Sequence, residues 1–131
     1  MLSVIIPVWN QGDKIKDSFL NLTDALRNIK EEYEIIFIDD DSSDNTFDIL
    51  EDISSSYINT RLIRSGEHLG QHSALLIGFK QAKGDIIITM DADAKASPYH
   101  IRDLLCKMKE GYEIVVAWRQ FRPGLSPLRK L

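Results

Sequence analysis

The sequence predicts an α/β domain built on a doubly wound, mainly parallel β-sheet. Three observations lead there. Apolar runs of strand length alternate with stretches of helical periodicity along the chain. The predicted strands are near-continuously apolar, the pattern of strands covered on both faces. The acidic and aromatic residues that break this pattern follow the strands directly, where doubly wound sheets hold their ligands.

Leu2–Val8 is the first predicted strand (Leu-Ser-Val-Ile-Ile-Pro-Val). Residues 13–29 are predicted helical, because Ile15, Phe19, Leu22, Leu26 and Ile29 recur at spacings of four, three, four and three. Residues 33–38 form the second strand. Residues 43–56 form a helix with Phe47, Leu50, Ile53 and Tyr57 on one face. Thr60–Arg64 is a short third strand. Residues 70–83 are helical, with Ala74, Gly78 and Ala82 allowing close packing. Residues 85–90 are the fourth strand. Ser97 is a good N-cap and Pro98 suits the first helical position; the helix they open carries Ile101, Leu104, Leu105 and Met108 inward. Residues 112–118 are predicted as a fifth strand.

Composition sets the bounds. A chain of 131 residues makes one domain, able to bury roughly two-thirds of its unfolded surface. The net charge is −4 without a long basic run, which excludes nucleic acid as the main partner but not a nucleotide. The one cysteine, Cys106, is expected in the core beside Leu105. It allows no disulfide within the chain and fits a reducing, cytoplasmic setting. No signal peptide and no apolar run long enough to span a membrane is visible. His68, His72 and His100 lack metal-ligand spacing and are expected to be solvated or capping. Gly66 and Gly70 match no phosphate-loop pattern and are expected to help the chain turn into a helix.

The residues after the strands are Pro7-Val8-Trp9-Asn10-Gln11, then Asp39-Asp40-Asp41-Ser42-Ser43, then Ser65 to Gly70, then Asp91-Ala92-Asp93, and finally Arg119. Asp91 and Asp93 are two apart, so in extended backbone their carboxylates point the same way, with the small Ala92 leaving room between them. Such a pair calls for a cation. Mg²⁺ or Mn²⁺ takes oxygen ligands and shares its shell with substrate phosphates. Asp91 and Asp93 are therefore the candidate metal ligands of a metal–diphosphate site.

In order and spacing these motifs resemble family 2 glycosyltransferases of the GT-A fold. The carriers are Ser3 to Asn10, Ile38 to Thr46 (Ile-Asp-Asp-Asp-Ser-Ser-Asp-Asn-Thr), Leu69 to Ala74, and Gly84-Asp85 leading into Asp91-Ala92-Asp93. Gly70 to Ala74 and Thr89 to Asp93 look most like polyprenyl-phosphate glycosyltransferases of the dolichol-phosphate mannose synthase type. The chain departs from that subgroup at Trp9 (usually Tyr), Gln11 (usually Glu) and Ala94-Lys95 (usually Leu-Gln).

The resemblance implies a Rossmann-like, nucleotide-sugar-binding half over residues 1–119, with a basic tail at 120–131. It implies that Pro7, Trp9 and Gln11 line the base and ribose pocket and that Ile38 and Asp40 close it, Asp40 accepting a base N–H. Asp91, Ala92 and Asp93 would meet the diphosphate and its metal, and Arg119 would reach phosphate oxygens. The implied reaction is inverting transfer of the sugar from a nucleotide-diphosphate sugar. A lipid phosphate at the cytoplasmic face of a membrane is one such acceptor, and its oxygen is already anionic and needs no general base. Ser126-Pro127 reads as another helix start close to the end of the sequence. The chain is accordingly expected to be part of a longer protein, to fold alone, and to transfer no sugar by itself. Two other readings are a non-catalytic nucleotide-binding module and a receiver-type phosphoacceptor domain. The latter wants an acidic pair after the first strand, where Pro7-Val8-Trp9 stands.

Overall fold

A computed structural model of the chain describes residues 1–93 and 97–117. Arg119 and the tail at 120–131 lie outside the described residues. The chain divides into two compact units, Met1–Tyr99 and His100–Leu131.

The first unit holds the sheet. Its elements are β1 (Leu2–Val8), α1 (Lys14–Arg27), β2 (Tyr33–Asp39), α2 (Thr46–Ser56), β3 (Thr60–Arg64), α3 (Gln71–Gln81) and β4 (Ile86–Thr89). The four strands are parallel in the order β3-β2-β1-β4. β2 and β3 are added on one side of β1 and β4 on the other. The topological switch therefore lies between β1 and β4, where such sheets open a ligand crevice. This order is not the 2-1-3-4-5 of receiver-like sheets.

Alternation along the strands separates two cores. Ile5, Ile36 and Ile38 form one with Ala74 of α3. Gly78 lets α3 approach, since a Cβ there would collide with Ile5 Cγ2. On the opposite face Phe37 meets Phe19 of α1 at 6.1 Å between ring centroids, and Phe19 meets Tyr57 edge-on at 4.7 Å.

The amino-terminal edge of the sheet is closed by a polar network. Glu34 Oε1 accepts the Ser3 hydroxyl at 2.6 Å and the Lys83 amide at 2.7 Å. Its Oε2 accepts Arg61 Nη1 at 3.1 Å. Ser3 Oγ accepts the Gly84 amide at 2.8 Å. Burial pushes the Glu34 carboxyl up, but the bonds from Ser3, the Lys83 amide and Arg61 outweigh it and hold the group below its ordinary value.

The second unit contains α4 (Ile101–Lys109), preceded by a 3₁₀ turn at Pro98–His100. Ile101 and Leu105 are buried as the periodicity predicts. Two expectations are corrected here. Cys106 is exposed rather than core, one position past the buried face. Residues 112–117 form no strand. Ile114 and Val116 are 82% and 77% exposed. No strand pairs with this segment among the described residues, and β propensity alone does not make a strand; Trp118 lies outside the described residues. Among the described residues no helix is long and apolar enough to cross a membrane.

Candidate functional site

The parallel strands bring their carboxyl ends to one edge, and the candidate residues of the first unit gather there. Pro7 sits where it costs little. The β1–β4 ladder runs from Leu2↔Ile86 and ends at Ile5↔Thr89, so a residue lacking an N–H is tolerated past its end.

The turn after β1 is locked to the turn after β2. Asn10 has a positive φ of 47°, and its Oδ1 accepts the Ser43 amide at 2.8 Å. Its own amide donates to Ser42 Oγ at 3.0 Å. Thr46 Oγ1 accepts both the Gln11 amide at 2.9 Å and the Gly12 amide at 2.8 Å. α2 consequently begins at Thr46, later than the sequence predicts, because Ser42 and Ser43 are engaged in this brace. Asp44 Oδ1 takes the Thr46 amide at 2.9 Å. Burial pushes the Asp44 carboxyl up, but the Thr46 hydrogen bonds outweigh it and leave the group low.

Asp40 is the centre of the edge. Its side chain is only 4% exposed. Oδ1 accepts the Leu69 amide and Oδ2 the Gly70 amide, each at 2.8 Å. His68 Nδ1 lies 2.8 Å from Oδ2 as well. Asp40 thus fastens the loop after β3, and Gly70 adopts φ 87° as it enters α3, a conformation glycine takes without strain. The His68 ring then stacks on Trp9, with centroids 4.5 Å apart and planes 28° from parallel. A hydrogen bond to a charged group contributes about 1.5–3 kcal/mol and an aromatic pair about 0.5–1.5 kcal/mol, so the loop is well held. Beside it, Arg64 lies 3.5 Å from Asp39 Oδ2, 3.2 Å from Asp41 Oδ1 and 4.5 Å above the Phe47 ring. Asp39 is fully buried, and its Oδ1 lacks a hydrogen-bond partner among the described residues.

The acidic pair lies in a turn rather than in extended backbone, because β4 ends at Thr89. Asp91 and Asp93 are exposed and Ala92 is buried between them. The Ala92 carbonyl accepts the Ser18 hydroxyl at 2.9 Å, so Ala92 anchors the turn to α1. Asp91 Oδ1 accepts Gln71 Nε2 at 3.0 Å. Among the described residues no three histidine, cysteine, aspartate or glutamate side chains converge as a preformed metal cage. Two exposed carboxylates on one turn still fit Mg²⁺ or Mn²⁺, which take one or two protein carboxylates and complete the shell with phosphate and water.

Of the residues predicted from sequence, Pro7, Trp9, Gln11, Asp40, Asp91, Ala92 and Asp93 fall on this edge. The Gln11 side chain turns back to the Trp9 carbonyl at 3.3 Å. The Ile38 side chain is fully buried in the core with Ala74. Arg119 lies outside the described residues. The sequence gives His68 only a solvated or capping role and Gln71 only a place in the Gly70 to Ala74 motif, and assigns neither to the site. Their signal is tertiary, since His68 crosses from the loop after β3 over the end of β2 to Trp9 at the end of β1.

Comparison with known proteins supports the α/β fold and shows the family. The family model described as Glycosyl transferase family 2 matches residues 3–130. S. aureus TarS 1–349 in complex with UDP-GlcNAc is similar at 25% identity and TM-score 0.68, over 83% of this chain and 31% of that one. The mannosyltransferase PcManGT from Pyrobaculum calidifontis, in complex with GDP-Man and Mn²⁺, matches at 23% identity and TM-score 0.63, over 70% of this chain and 27% of that one. A structure of S. aureus TarS matches at 23% identity and TM-score 0.63, over 83% of this chain and 19% of that one. The chain spans less than a third of each of these proteins. With the parallel sheet, the switch point and the acidic turn in place, the family match over residues 3–130 makes this chain a member of glycosyl transferase family 2.

Proposed function

We propose that this chain binds the nucleotide-diphosphate sugar of a metal-assisted, inverting glycosyl transfer. The observation that carries the reading is the convergence of Trp9, the Asp40-anchored loop and the Asp91–Asp93 turn on the carboxyl edge beside the β1/β4 switch point. Trp9 offers an aromatic surface to the base. The turn after β4 offers carboxylate oxygens for the cation that accompanies the diphosphate. When bound there, Mg²⁺ or Mn²⁺ supplies Lewis-acid stabilisation of the charge on the departing nucleotide. Gln71 orients the Asp91 carboxylate, and Arg119 is assigned to phosphate oxygens.

The acceptor in this proposal is a polyprenyl phosphate at a cytoplasmic membrane face. Its support is the likeness of Gly70 to Ala74 and Thr89 to Asp93 to that subgroup, together with the chemistry of an acceptor oxygen that needs no base. UDP- and GDP-sugars titrated against the chain test the donor half. One of them binds with Mn²⁺ present while the free sugar does not; binding of neither donor contradicts the reading. Farnesyl phosphate and farnesol, titrated into the nucleotide-bound protein, test the acceptor half. Only the phosphate is expected to bind, and equal binding of farnesol contradicts it.

A further inference from the structure

Ser18 stands on the buried stripe of α1, a turn away from Ile15 on one side and Leu22 on the other. The periodicity of the helix calls for an apolar side chain there. Within a helix a serine or threonine hydroxyl commonly bonds back to a carbonyl of its own helix. Thr23, Ser54, Ser55 and Ser56 do so at 2.8 to 3.0 Å. Ser18 reaches instead across 74 positions of sequence and donates to the Ala92 carbonyl at 2.9 Å. The neighbouring side chains of Ile15, Leu22, Met90 and Pro98 are apolar and offer its hydroxyl no other partner.

We propose that Ser18 is a positioning residue for the cation of the nucleotide site, acting through the main chain of the acidic turn. The inference rests on the metal–nucleotide reading above and adds to it the group that sets the turn. Ala92 lies between the two carboxylates, and holding its carbonyl fixes the planar peptide that joins it to Asp93. Gln71 of α3 holds the other side of the turn, through Asp91 Oδ1 at 3.0 Å. α1 and α3 pack on opposite faces of the sheet: Phe19 meets Phe37, while Ala74 clusters with Ile36 and Ile38. The turn is thus clamped from both faces just past the end of β4. Two neighbouring carboxylates repel each other when no cation lies between them. A clamp on the main chain limits how far they move apart, so less ordering remains to be done when Mn²⁺ and a diphosphate bind.

The test titrates UDP and GDP, by calorimetry, into wild type, Ser18→Ala, Ser18→Thr and Tyr99→Phe, with Mn²⁺ and with excess chelator. Alanine is a better helix former than serine, so Ser18→Ala leaves α1 intact. Ser18→Thr keeps the hydroxyl, and the small hollow that Ser18 lines has room for the added methyl. Tyr99→Phe removes a different bond to α1, from the Tyr99 hydroxyl to Asp24 Oδ2 at 2.7 Å, and leaves the turn untouched. With Mn²⁺, Ser18→Ala is expected to lose roughly fivefold in affinity, as for one net hydrogen bond. Ser18→Thr and Tyr99→Phe are expected to match wild type, and in chelator the difference between wild type and Ser18→Ala should vanish. Wild-type affinity in Ser18→Ala overturns the proposal and leaves the nucleotide reading intact. An equal loss in Ser18→Thr or Tyr99→Phe, or a loss that persists in chelator, also overturns it and makes Ser18 a structural contact only. Absence of Mn²⁺-dependent nucleotide binding by the wild type overturns both.

Discussion

Asp40 Oδ2 accepts the Gly70 amide at 2.8 Å, so a buried carboxylate at the end of β2 sets the start of α3. The bond joins the two parts of the edge, because the next residue, Gln71, holds Asp91 at 3.0 Å. Asp40→Asn keeps the size of the side chain but turns one acceptor into a donor facing an N–H. We expect a stability loss of about 1–3 kcal/mol and faster hydrogen exchange at the Leu69 and Gly70 amides. Thermal melting and amide exchange measure both. Unchanged protection at Gly70 would mean that the loop is held by something else.

Gly78 is expected to reject alanine even though it lies within a helix. Helix propensity alone favours Ala over Gly by about 1 kcal/mol. A Cβ at this position collides with the fully buried Ile5, and overpacking a filled core costs about 1–3 kcal/mol. The collision should win, and Gly78→Ala should lower the melting temperature. In the Ile5→Ala background the same change should cost less, since the colliding atoms are gone. A higher melting temperature for Gly78→Ala alone would show that propensity dominates.

Glu34 makes stability depend on pH in a defined direction. Its carboxyl is held below the ordinary value of 4.5. The stabilisation is therefore fully present above that value and is lost as pH falls through the lower folded value. Glu34→Gln should cost about 1.5–3 kcal/mol at neutral pH, as for hydrogen bonds to a charged group. Denaturant melts from pH 7 to pH 2.5 should show wild type and variant converging in acid. A gap that stays constant over that range would remove Glu34 as the titrating group.

The sheet was legible because its signals are local. β1 and β3 begin and end where their apolar runs do, and Ala74 and Gly78 lie on the packed face of α3 as their size suggests. The predicted strand at 112–118 rested on the same kind of run, yet Ile114 and Val116 stand in solvent; composition cannot supply a neighbouring strand. The start of α2 was misplaced because Ser42 and Ser43 serve Asn10, thirty-odd residues earlier in the chain. At the carboxyl edge, the placement of Trp9 after β1 and of Asp91 and Asp93 after β4 was readable from the ends of the apolar runs. The contact of His68 with Trp9 and the bond between Gln71 and Asp91 depend on strand order and loop course, and a single sequence carries no direct trace of either.

The account turns most directly on whether nucleotide binding runs through the Asp91–Asp93 turn. Calorimetric titration of UDP and GDP, with Mn²⁺ and with excess chelator, in wild type and Asp91→Ala, measures this. The account predicts that one nucleotide binds wild type with Mn²⁺ present. It also predicts that affinity falls at least tenfold both on chelation and in Asp91→Ala, because the phosphates and the turn share the cation. Equal affinity in wild type and Asp91→Ala with Mn²⁺ present would contradict it.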